Sequence, residues 1–337
     1  MAKASNIEWT DSTVNFWWGC TKVGPGCDHC YAETWSKRTG GNIWGTGVSR
    51  RKIKSAVTLL HRLDNGYSDW AADAECRRGN AKAFSLPEPH IYNMRRVFIQ
   101  SMSDLFDLEV PVEWFAEAWQ TIERCYRLHI QIVTKRISAV EKRLATIGIT
   151  TWPQHAGLMI TVCNQAEADR DIPRLLALKE KLGIPWVGLS IEPLLGQVDL
   201  TRLSTLAWPG AEIVNPLTGA LYGILGDRVG HTTSIDWVIV GGESGSSGRP
   251  MRPDWARSLR DQCAAEDVPF FFKQWGQFLP TVEKGTEVNL LTISKGDRVA
   301  ANPLSPGTHV RYRNVGKAHA GRLLDGIEHN SMPRAFS

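Results

Sequence analysis

From residue 95 onward, short apolar runs alternate with longer amphipathic runs, and this alternation constrains the fold more than any other feature of the sequence. The apolar runs predict buried strands and the amphipathic runs predict helices. Strands are predicted near 96–100, 129–134, 158–162, 186–190, 237–240 and 269–272, and helices from 112 onward and near 138–144, 166–182 and 254–265. This repeat predicts an α/β fold with parallel strands, in a complete or partial βα (TIM-like) barrel.

Three intervals lie outside the alternation. Residues 38–94 are rich in glycine, arginine and polar side chains, and 207–234 combine glycine and proline with short apolar pairs. We predict an insertion with short helices in the first interval and a hairpin-like insertion in the second. Beyond residue 280 the alternation is lost. The sequence therefore predicts a barrel domain over 1–280, which carries both insertions, and a small C-terminal extension over 281–337.

Three cysteines, Cys20, Cys27 and Cys30, follow a first strand predicted near 14–18 and form a C-x6-C-x2-C cluster with the Gly-Pro-Gly of 24–26 in its loop. Such a loop lets thiolates converge without distorting a helix or strand, which is typical of metal ligands. The set lacks a fourth cysteine. Structural zinc usually has four protein ligands, whereas a reactive centre keeps one position open. Zinc completed by His29 or a distant side chain, and an iron-sulfur cluster, both fit the spacing.

A disulfide framework explains the cysteines less well. The chain has seven cysteines, an odd number, and the other four are scattered without framework spacing at Cys76, Cys125, Cys163 and Cys263.

Polar residues follow each predicted strand, where parallel α/β folds carry their active sites. The candidates are Ser101, Ser103, Asp104, Lys135, Cys163, Glu192, Gly241, Gly242, Glu243 and Lys273. Each has an ordinary explanation as a helix cap, a turn residue, a solvated charge or a buried apolar residue. Together they predict one polar rim at the mouth of a barrel, next to the cysteine loop. The sequence contains neither the G-x-G-x-x-G dinucleotide pattern nor a P-loop.

Composition narrows the class further. The formal charge of +4 permits nucleic-acid binding without requiring it, and the 14 tryptophans could line a cleft or fill the core. The N-terminal residues lack the apolar core of a signal peptide, and no run reaches the length of a membrane span. We therefore predict no membrane association and a reducing, cytoplasmic location.

Six ordered sequence blocks carry a resemblance to a known family. They are CDHCYAE at 27–33, FIQSMSDLF at 98–106, VTKR at 133–136, LSIEPLLG at 189–196, WVIVGGESG at 237–245 and FFKQWG at 271–276. These blocks resemble a phage-associated three-cysteine family related to radical S-adenosylmethionine enzymes. The resemblance covers about 9–276 and recurs in AGRLLDG at 320–326. It implies a location in the cytoplasm of a bacterial or phage-infected cell.

The resemblance implies a cofactor as well as a fold. Cys20, Cys27 and Cys30 would hold a 4Fe-4S cluster, and S-adenosylmethionine would bind its open iron and yield a 5'-deoxyadenosyl radical. An electron donor such as flavodoxin or ferredoxin would be a partner. Positions matching the family's cofactor contacts are Ser101, Ser103, Asp104 and Lys135, with Glu192, Gly241, Gly242 and Glu243 as ribose or methionine contacts. Lys273 and Cys163 are the catalytic candidates. The spacing departs from the usual C-x3-C-x2-C of this superfamily.

The cysteine loop followed by Tyr31, and the polar strand ends at Asp104 and Lys135, are most similar to the spore photoproduct lyase-like branch. That similarity implies a DNA or RNA substrate and an enzyme that repairs or modifies a nucleic-acid base. Two alternatives stay open. One is a radical S-adenosylmethionine enzyme that acts on a small molecule or peptide, and the other is a non-catalytic protein that binds zinc or an iron-sulfur cluster.

Overall fold

The computed structural model of the chain describes residues 4–70, 94–284, 298–301 and 308–333. Its main element is a sheet of seven parallel strands in the order β1-β4-β5-β6-β7-β12-β13. These strands are β1 (Ser12–Thr13), β4 (Arg95–Ile99), β5 (Leu128–Thr134), β6 (Ala156–Thr161), β7 (Val187–Ile191), β12 (Trp237–Gly241) and β13 (Phe270–Gln274). All six strands predicted from residue 96 onward are present, each within a few residues of its predicted bounds.

Helices connect most of these parallel strands. In chain order they are α1 (Tyr31–Arg38), α2 (Ser55–Asn65), α3 (Val112–Arg124), α4 (Ile137–Ala145), α5 (Gln165–Leu182), α6 (Pro253–Ala265) and the short α7 (Lys317–Ala320). Helix α5 begins at an Asn164 cap, whose side chain accepts a hydrogen bond from the Glu167 amide, and ends at Gly183 with a left-handed φ of 66°. None of the described helices is long and apolar enough to cross a bilayer.

The two faces of the sheet bury different clusters. Alternate strand residues such as Ile130 and Ile132 pack into the main core with the helices. The opposite face buries a separate apolar cluster that joins strands from both halves of the sheet, namely Trp9, Phe98, Met159, Trp186, Trp237, Ile239 and Phe271.

Trp9 shows how strongly the sheet curves. Its ring lies 4.8 Å from the ring of Phe98 on β4 and 6.1 Å from the ring of Trp237 on β12. Three strands separate β4 from β12, so a flat sheet would hold them about 19 Å apart. The sheet is therefore a half-barrel, and its edge strands β1 and β13 are not paired with each other in the described part of the chain.

The first strand does not lie where the sequence predicts it. The strand predicted near 14–18 is replaced in the sheet by β1 at 12–13, whereas β2 (Trp17–Trp18) pairs antiparallel with β3 (Arg51–Lys52) outside the sheet. The cause is the side chain of Gln100, whose Oε1 accepts hydrogen bonds from the amides of Phe16 at 2.7 Å and Trp17 at 3.2 Å. These bonds draw the chain away from β4 and toward the end of the sheet.

Small antiparallel sheets occupy the intervals outside the alternation. Strands β8 (Leu203–Ser204), β9 (Ile213–Asn215), β10 (Ala220–Tyr222) and β11 (Arg228–His231) form one of them, between β7 and β12. Strands β14 (Phe278–Lys284), β15 (Arg298–Ala301) and β16 (Thr308–Asn314) form another, followed by the hairpin of β17 (Leu323–Leu324) and β18 (Ile327–Glu328). The predicted domain boundary at 280 falls inside β14. Within the predicted 38–94 insertion, 71–93, including Cys76, lie outside the described residues.

Candidate metal and cofactor site at the strand ends

The loop that carries the three cysteines, residues 20–30, lies directly on the carboxyl ends of the parallel strands. A Cβ atom built on Gly26 would stand 2.4 Å from Cys163 Sγ, 3.5 Å from Pro193 Cδ and 3.7 Å from Lys135 Cε. One on Gly24 would stand 2.6 Å from Glu167 Oε1. Only glycine permits such close approach. The Gly-Pro-Gly sequence therefore lets the loop contact the ends of three successive strands, β5, β6 and β7.

An arginine fastens the other side of the loop. Arg249 binds both oxygens of the Glu243 carboxylate, and its remaining donors reach Pro25 O at 2.8 Å and Asp28 Oδ2 at 3.1 Å. The Nδ1 atom of His29 lies 3.0 Å from Glu243 Oε2. Burial alone would raise the pKa of Glu243, but these hydrogen bonds outweigh it and hold the pKa below its usual range. We call this group, Asp28, His29, Glu243 and Arg249, the loop clasp.

The environment of the thiols combines burial with positive partners. Burial raises the pKa of the Cys20 thiol to about 12, with a further rise from Asp104, while Arg136 Nη2, 3.5 Å from the sulfur, opposes it. Burial also raises the pKa of Cys30, although hydrogen bonds from the amides of Glu33 and Ala32 at the start of α1 lower it. These thiols are protonated near neutral pH unless a cation compensates for their charge.

Cys27 lies between Cys20 and Cys30 in the sequence. It is buried and ends a short 3-10 turn over Pro25–Cys27. Among the residues that the structure describes, no group of three or more His, Cys, Asp or Glu side chains surrounds a single point closely enough to hold one metal ion.

Three of the predicted cofactor-binding residues make structural hydrogen bonds beyond the end of β4. Asp104 is buried and accepts hydrogen bonds from Thr134 Oγ1 at 2.8 Å, the Lys135 amide at 2.9 Å and the Phe106 amide at 2.9 Å. Ser103 Oγ donates to the Trp17 carbonyl at 2.9 Å, and the Ser101 hydroxyl lies 3.0 Å from Asn15 Nδ2. Asp104 thus ties the end of β4 to the end of β5, while the serines hold the chain that enters the cysteine loop.

The remaining predicted residues lie at the carboxyl ends of the parallel strands. Lys273 Nζ is 3.0 Å from Glu192 Oε1 and 3.1 Å from its Oε2, and both side chains are largely buried. A Cβ on Gly241 would stand only 2.5 Å from Glu192 Oε1, so the glycine leaves room for this ion pair. Lys135 Nζ lies 3.0 Å from Thr161 Oγ1. The structure thus places two lysines and a carboxylate at the strand ends, with Lys135 directly against the cysteine loop.

Cys163 and Gly242 make contacts of a different kind. Burial raises the pKa of the Cys163 thiol to about 12, and the Cys163 backbone is fixed by a hydrogen bond from its amide to Glu167 Oε2 at 2.8 Å. Gly242 packs against the Trp275 carbonyl, which a Cβ would approach to 2.0 Å. Cys163 therefore supports the loop as a neutral thiol, and Gly242 allows β12 and the end of β13 to meet.

Sequence reasoning did not single out several residues of this site. Arg249 lies in an irregular segment after β12, so no periodic signal marks it, and Glu167 occupies an ordinary capping position on α5. Arg136 directly follows Lys135 in the VTKR block, and that placement at a strand end was the available signal. All three bind or support the cysteine loop, through contacts that only the folded chain brings together.

Fold and site together define an α/β protein in which a three-cysteine loop is fastened over the carboxyl ends of a parallel half-barrel. The chain belongs to the family described as "Protein of unknown function (DUF5131)", whose model matches residues 4–333. No curated protein gives a significant match to the sequence.

Proposed function

We propose that this protein is a radical S-adenosylmethionine enzyme that acts on a nucleic-acid base. In this proposal Cys20, Cys27 and Cys30 hold a 4Fe-4S cluster, and the half-barrel is the partial βα barrel of such enzymes. The observation that carries the proposal is the position of the cysteine loop, which contacts the carboxyl ends of β5, β6 and β7, where polar side chains follow the strands. When bound, the cluster and S-adenosylmethionine would supply a 5'-deoxyadenosyl radical for hydrogen abstraction.

Burial raises the pKa of Cys20 and Cys30, and two features of the chain partly oppose that rise. The N-terminal amides of α1 point at the Cys30 sulfur, and Arg136 contacts the Cys20 sulfur. Helix N-termini and guanidinium groups both stabilise thiolates, and iron requires thiolate rather than thiol. In a 4Fe-4S cluster each cysteine binds a different iron atom. The three sulfurs therefore need not meet at one point, as they would around a single zinc ion.

The strand ends offer complementary charges to a zwitterionic cofactor. Lys135 would bind its carboxylate and Glu192 would contact its methionine or ribose part, because Lys135 and the Glu192-Pro193 turn lie at strand ends that the cysteine loop contacts. Gly241 leaves room beside β12 for the Glu192 side chain. Asp104, Ser101, Ser103 and Glu243 would act as positioning residues, since their oxygens already fasten the strand ends and the loop. Lys273 and Cys163 remain the candidates for contact with substrate.

The proposal requires an external one-electron donor, of the flavodoxin or ferredoxin type, and a reducing cytoplasm that keeps the thiols available. It uses no membrane.

The test begins with metal content. The protein is purified without oxygen and reconstituted with iron and sulfide, and iron, sulfide and zinc are measured for the parent chain and for Cys20→Ala, Cys27→Ala and Cys30→Ala. The matched control is Cys263→Ala, which removes a buried thiol of α6. We expect about four irons per chain in the parent and the control and a strong loss in the three variants. One tight zinc per chain with no iron uptake would refute the proposal.

The second part tests the chemistry. Dithionite and S-adenosylmethionine are added to the reconstituted protein, and 5'-deoxyadenosine is measured by chromatography. We expect its formation to depend on Cys30 and to be unaffected in Cys263→Ala. A fully loaded cluster that produces no 5'-deoxyadenosine with any reductant would show that the cluster has another role.

A further inference from the structure

An exposed aromatic surface adjoins the cysteine loop. Helix α1 begins directly after Cys30, and it exposes 57% of Tyr31 and 44% of Trp35. The two residues are four positions apart and therefore share one face of the helix. Arg38, three residues further on, continues this face and is exposed. Two large rings one turn apart, beside the metal ligands, set this helix apart from scattered apolar surface residues.

The rings are held in place by their neighbours. The Tyr31 hydroxyl donates to the Ser101 carbonyl at 2.6 Å, so the exposed ring is anchored at its far end. Trp35 packs edge-on against Trp18, with 4.9 Å between ring centroids, and the Arg51 guanidinium lies 4.5 Å from the Trp18 ring. A ligand that stacks on these rings would pay little for ordering them. The Arg51 guanidinium contacts the Trp18 ring with its planar face, so this contact uses none of the N–H donors of Arg51.

The charge of this surface is positive. Arg38 and Arg51 are both exposed on it, whereas Lys37 lies on the opposite side of α1 from Tyr31 and Trp35. The neighbouring acids are bound by other bases: Glu33 by Lys22 at 3.2 Å and by Lys37 at 2.7 Å, and Glu117 by Lys52 at 2.5 Å. The local excess of base over acid would attract a polyanion.

We propose that this surface, formed by Trp18, Tyr31, Trp35, Arg38 and Arg51 and called here the aromatic-basic face, binds single-stranded nucleic acid. Exposed rings interleaved with arginines are the features that bind unpaired bases and phosphates. In a duplex the base faces are stacked on one another, so the rings favour a single strand. The further statement that this strand is the substrate of the metal site rests on the function proposed above, because Tyr31 directly follows the ligand Cys30.

The binding experiment uses the cluster-free full chain, so that it is independent of iron. The probes are fluorescein-labelled oligothymidylate and oligouridylate of about 12 nucleotides, long enough to span the aromatic-basic face. The protein is titrated into each probe at several salt concentrations, and binding is measured by fluorescence anisotropy. Trp35→Ala should weaken binding roughly 10-fold, as expected for the loss of one stacked base. Tyr31→Phe retains the ring and should bind within about 2-fold of the parent. Arg38→Ala should flatten the salt slope by about 0.7.

A matched control lies at the other end of the strands. Tyr126 is 63% exposed, and the Arg127 guanidinium lies 5.5 Å from its ring, yet it precedes β5 and is remote from the cysteine loop. Tyr126→Ala should bind as the parent does. Weaker binding by Trp35→Ala with unchanged binding by Tyr126→Ala would support the proposal, and stronger binding of one oligonucleotide would identify DNA or RNA. Equal binding by Trp35→Ala and Tyr126→Ala would overturn the proposal. So would tighter binding of duplex than of single strands, or no binding at low salt.

The two proposals fail separately. Iron uptake and 5'-deoxyadenosine formation without oligonucleotide binding would refute the aromatic-basic face while upholding the cluster. Oligonucleotide binding sensitive to Trp35→Ala, in a chain that takes up no iron, would uphold the face and refute the metal site. Circular dichroism and the melting temperature of each variant verify that lost binding does not reflect lost folding.

Discussion

The guanidinium of Arg249 donates to both oxygens of the Glu243 carboxylate, at 2.6 Å from Nη2 and 2.8 Å from Nε. The same guanidinium reaches Pro25 O and Asp28 Oδ2, so one side chain joins the end of β12 to the cysteine loop. Arginine suits this role because its planar fork can bind a carboxylate and still offer donors in other directions. The loop clasp is therefore the main polar link between the loop and the second half of the sheet.

We expect Arg249→Ala to loosen the cysteine loop without unfolding the half-barrel. The change leaves the buried Glu243 carboxylate with His29 and the backbone amide of position 249 as partners. We expect this to lower the free energy of unfolding by about 2 kcal/mol. Hydrogen exchange measured by mass spectrometry should accelerate in peptides covering 24–30. Arg249→Lys keeps the charge but not the fork and should give an intermediate rate.

Arg252 provides the control for this prediction. It lies in the same segment and pairs with Asp254 at 3.1 Å, away from the loop. Arg252→Ala should leave exchange in 24–30 unchanged. If it accelerates exchange as much as Arg249→Ala, the segment as a whole holds the loop, and the specific role of the clasp is wrong.

A second prediction concerns the contact between Gly26 and Cys163. In Gly26→Ala the new Cβ would lie 2.4 Å from Cys163 Sγ, so either the loop or the thiol must shift. Overpacking of this kind costs about 1–3 kcal/mol. Removing the sulfur should restore the space, and the double variant Gly26→Ala, Cys163→Ala should therefore be more stable than the sum of the two single changes predicts. Urea unfolding of all four chains measures this coupling.

Gly196 is the matched control for an added methyl group. A Cβ there would meet only Asn164 Cβ at 3.6 Å, which is ordinary van der Waals contact. Gly196→Ala should change the free energy of unfolding little, and Cys163→Ala should not affect that change. Additive energies for Gly26→Ala and Cys163→Ala would mean that the loop does not rest on the Cys163 sulfur.

Much of the sheet could be predicted because its signals are local. The strand predicted at 129–134 is observed at Leu128–Thr134, and the helix predicted at 166–182 is observed at Gln165–Leu182. In both cases the spacing of apolar residues along the chain decides the outcome. The first strand was mispredicted because a side chain 84 residues away, Gln100, binds the amides of Phe16 and Trp17. Hydrogen bonds from so distant a side chain leave no signal in the apolar periodicity of residues 14–18.

The candidate site, like the sheet, could be predicted only where its signals are local. The strand ends identified Asp104, Lys135, Glu192 and Lys273 as neighbours, since parallel strands end on one edge of a sheet. Their partners could not be predicted in this way. Whether a carboxylate supports the fold depends on its partners, and these come from irregular segments. For Glu243 that partner is Arg249.

The Glu192–Lys273 pair permits a third prediction. The two side chains are 13% and 17% exposed, so removing one partner leaves a mostly buried charge. Lys273→Met should lower the free energy of unfolding by about 3 kcal/mol, and adding Glu192→Gln should recover part of the loss. Urea unfolding of both single variants and the double variant measures the coupling. A coupling near zero would mean that the two groups do not interact in solution.

The last prediction concerns acid sensitivity at the C-terminal hairpin. Asp325 accepts hydrogen bonds from Arg257 Nε at 2.8 Å and Arg260 Nη1 at 2.6 Å, which join the β17–β18 turn to α6. The hydrogen bonds from Arg257, followed by those from Arg260, outweigh partial burial and lower the pKa of Asp325. A lowered folded pKa means that the pair stabilises the protein above the unfolded pKa of about 3.9 and that this stability is lost as the pH falls through the folded pKa.

Asp325→Asn isolates this contribution, because asparagine tolerates the left-handed φ of 55° found at Asp325. The parent should exceed the variant in stability by under about 1 kcal/mol at pH 7, since the pair is partly exposed, and this advantage should shrink below about pH 4. Thermal unfolding from pH 3 to 8 measures it. Asp261→Asn, which alters a more exposed partner of Arg260, should have little effect at any pH. An advantage that grows as the pH falls would contradict the assigned pairing.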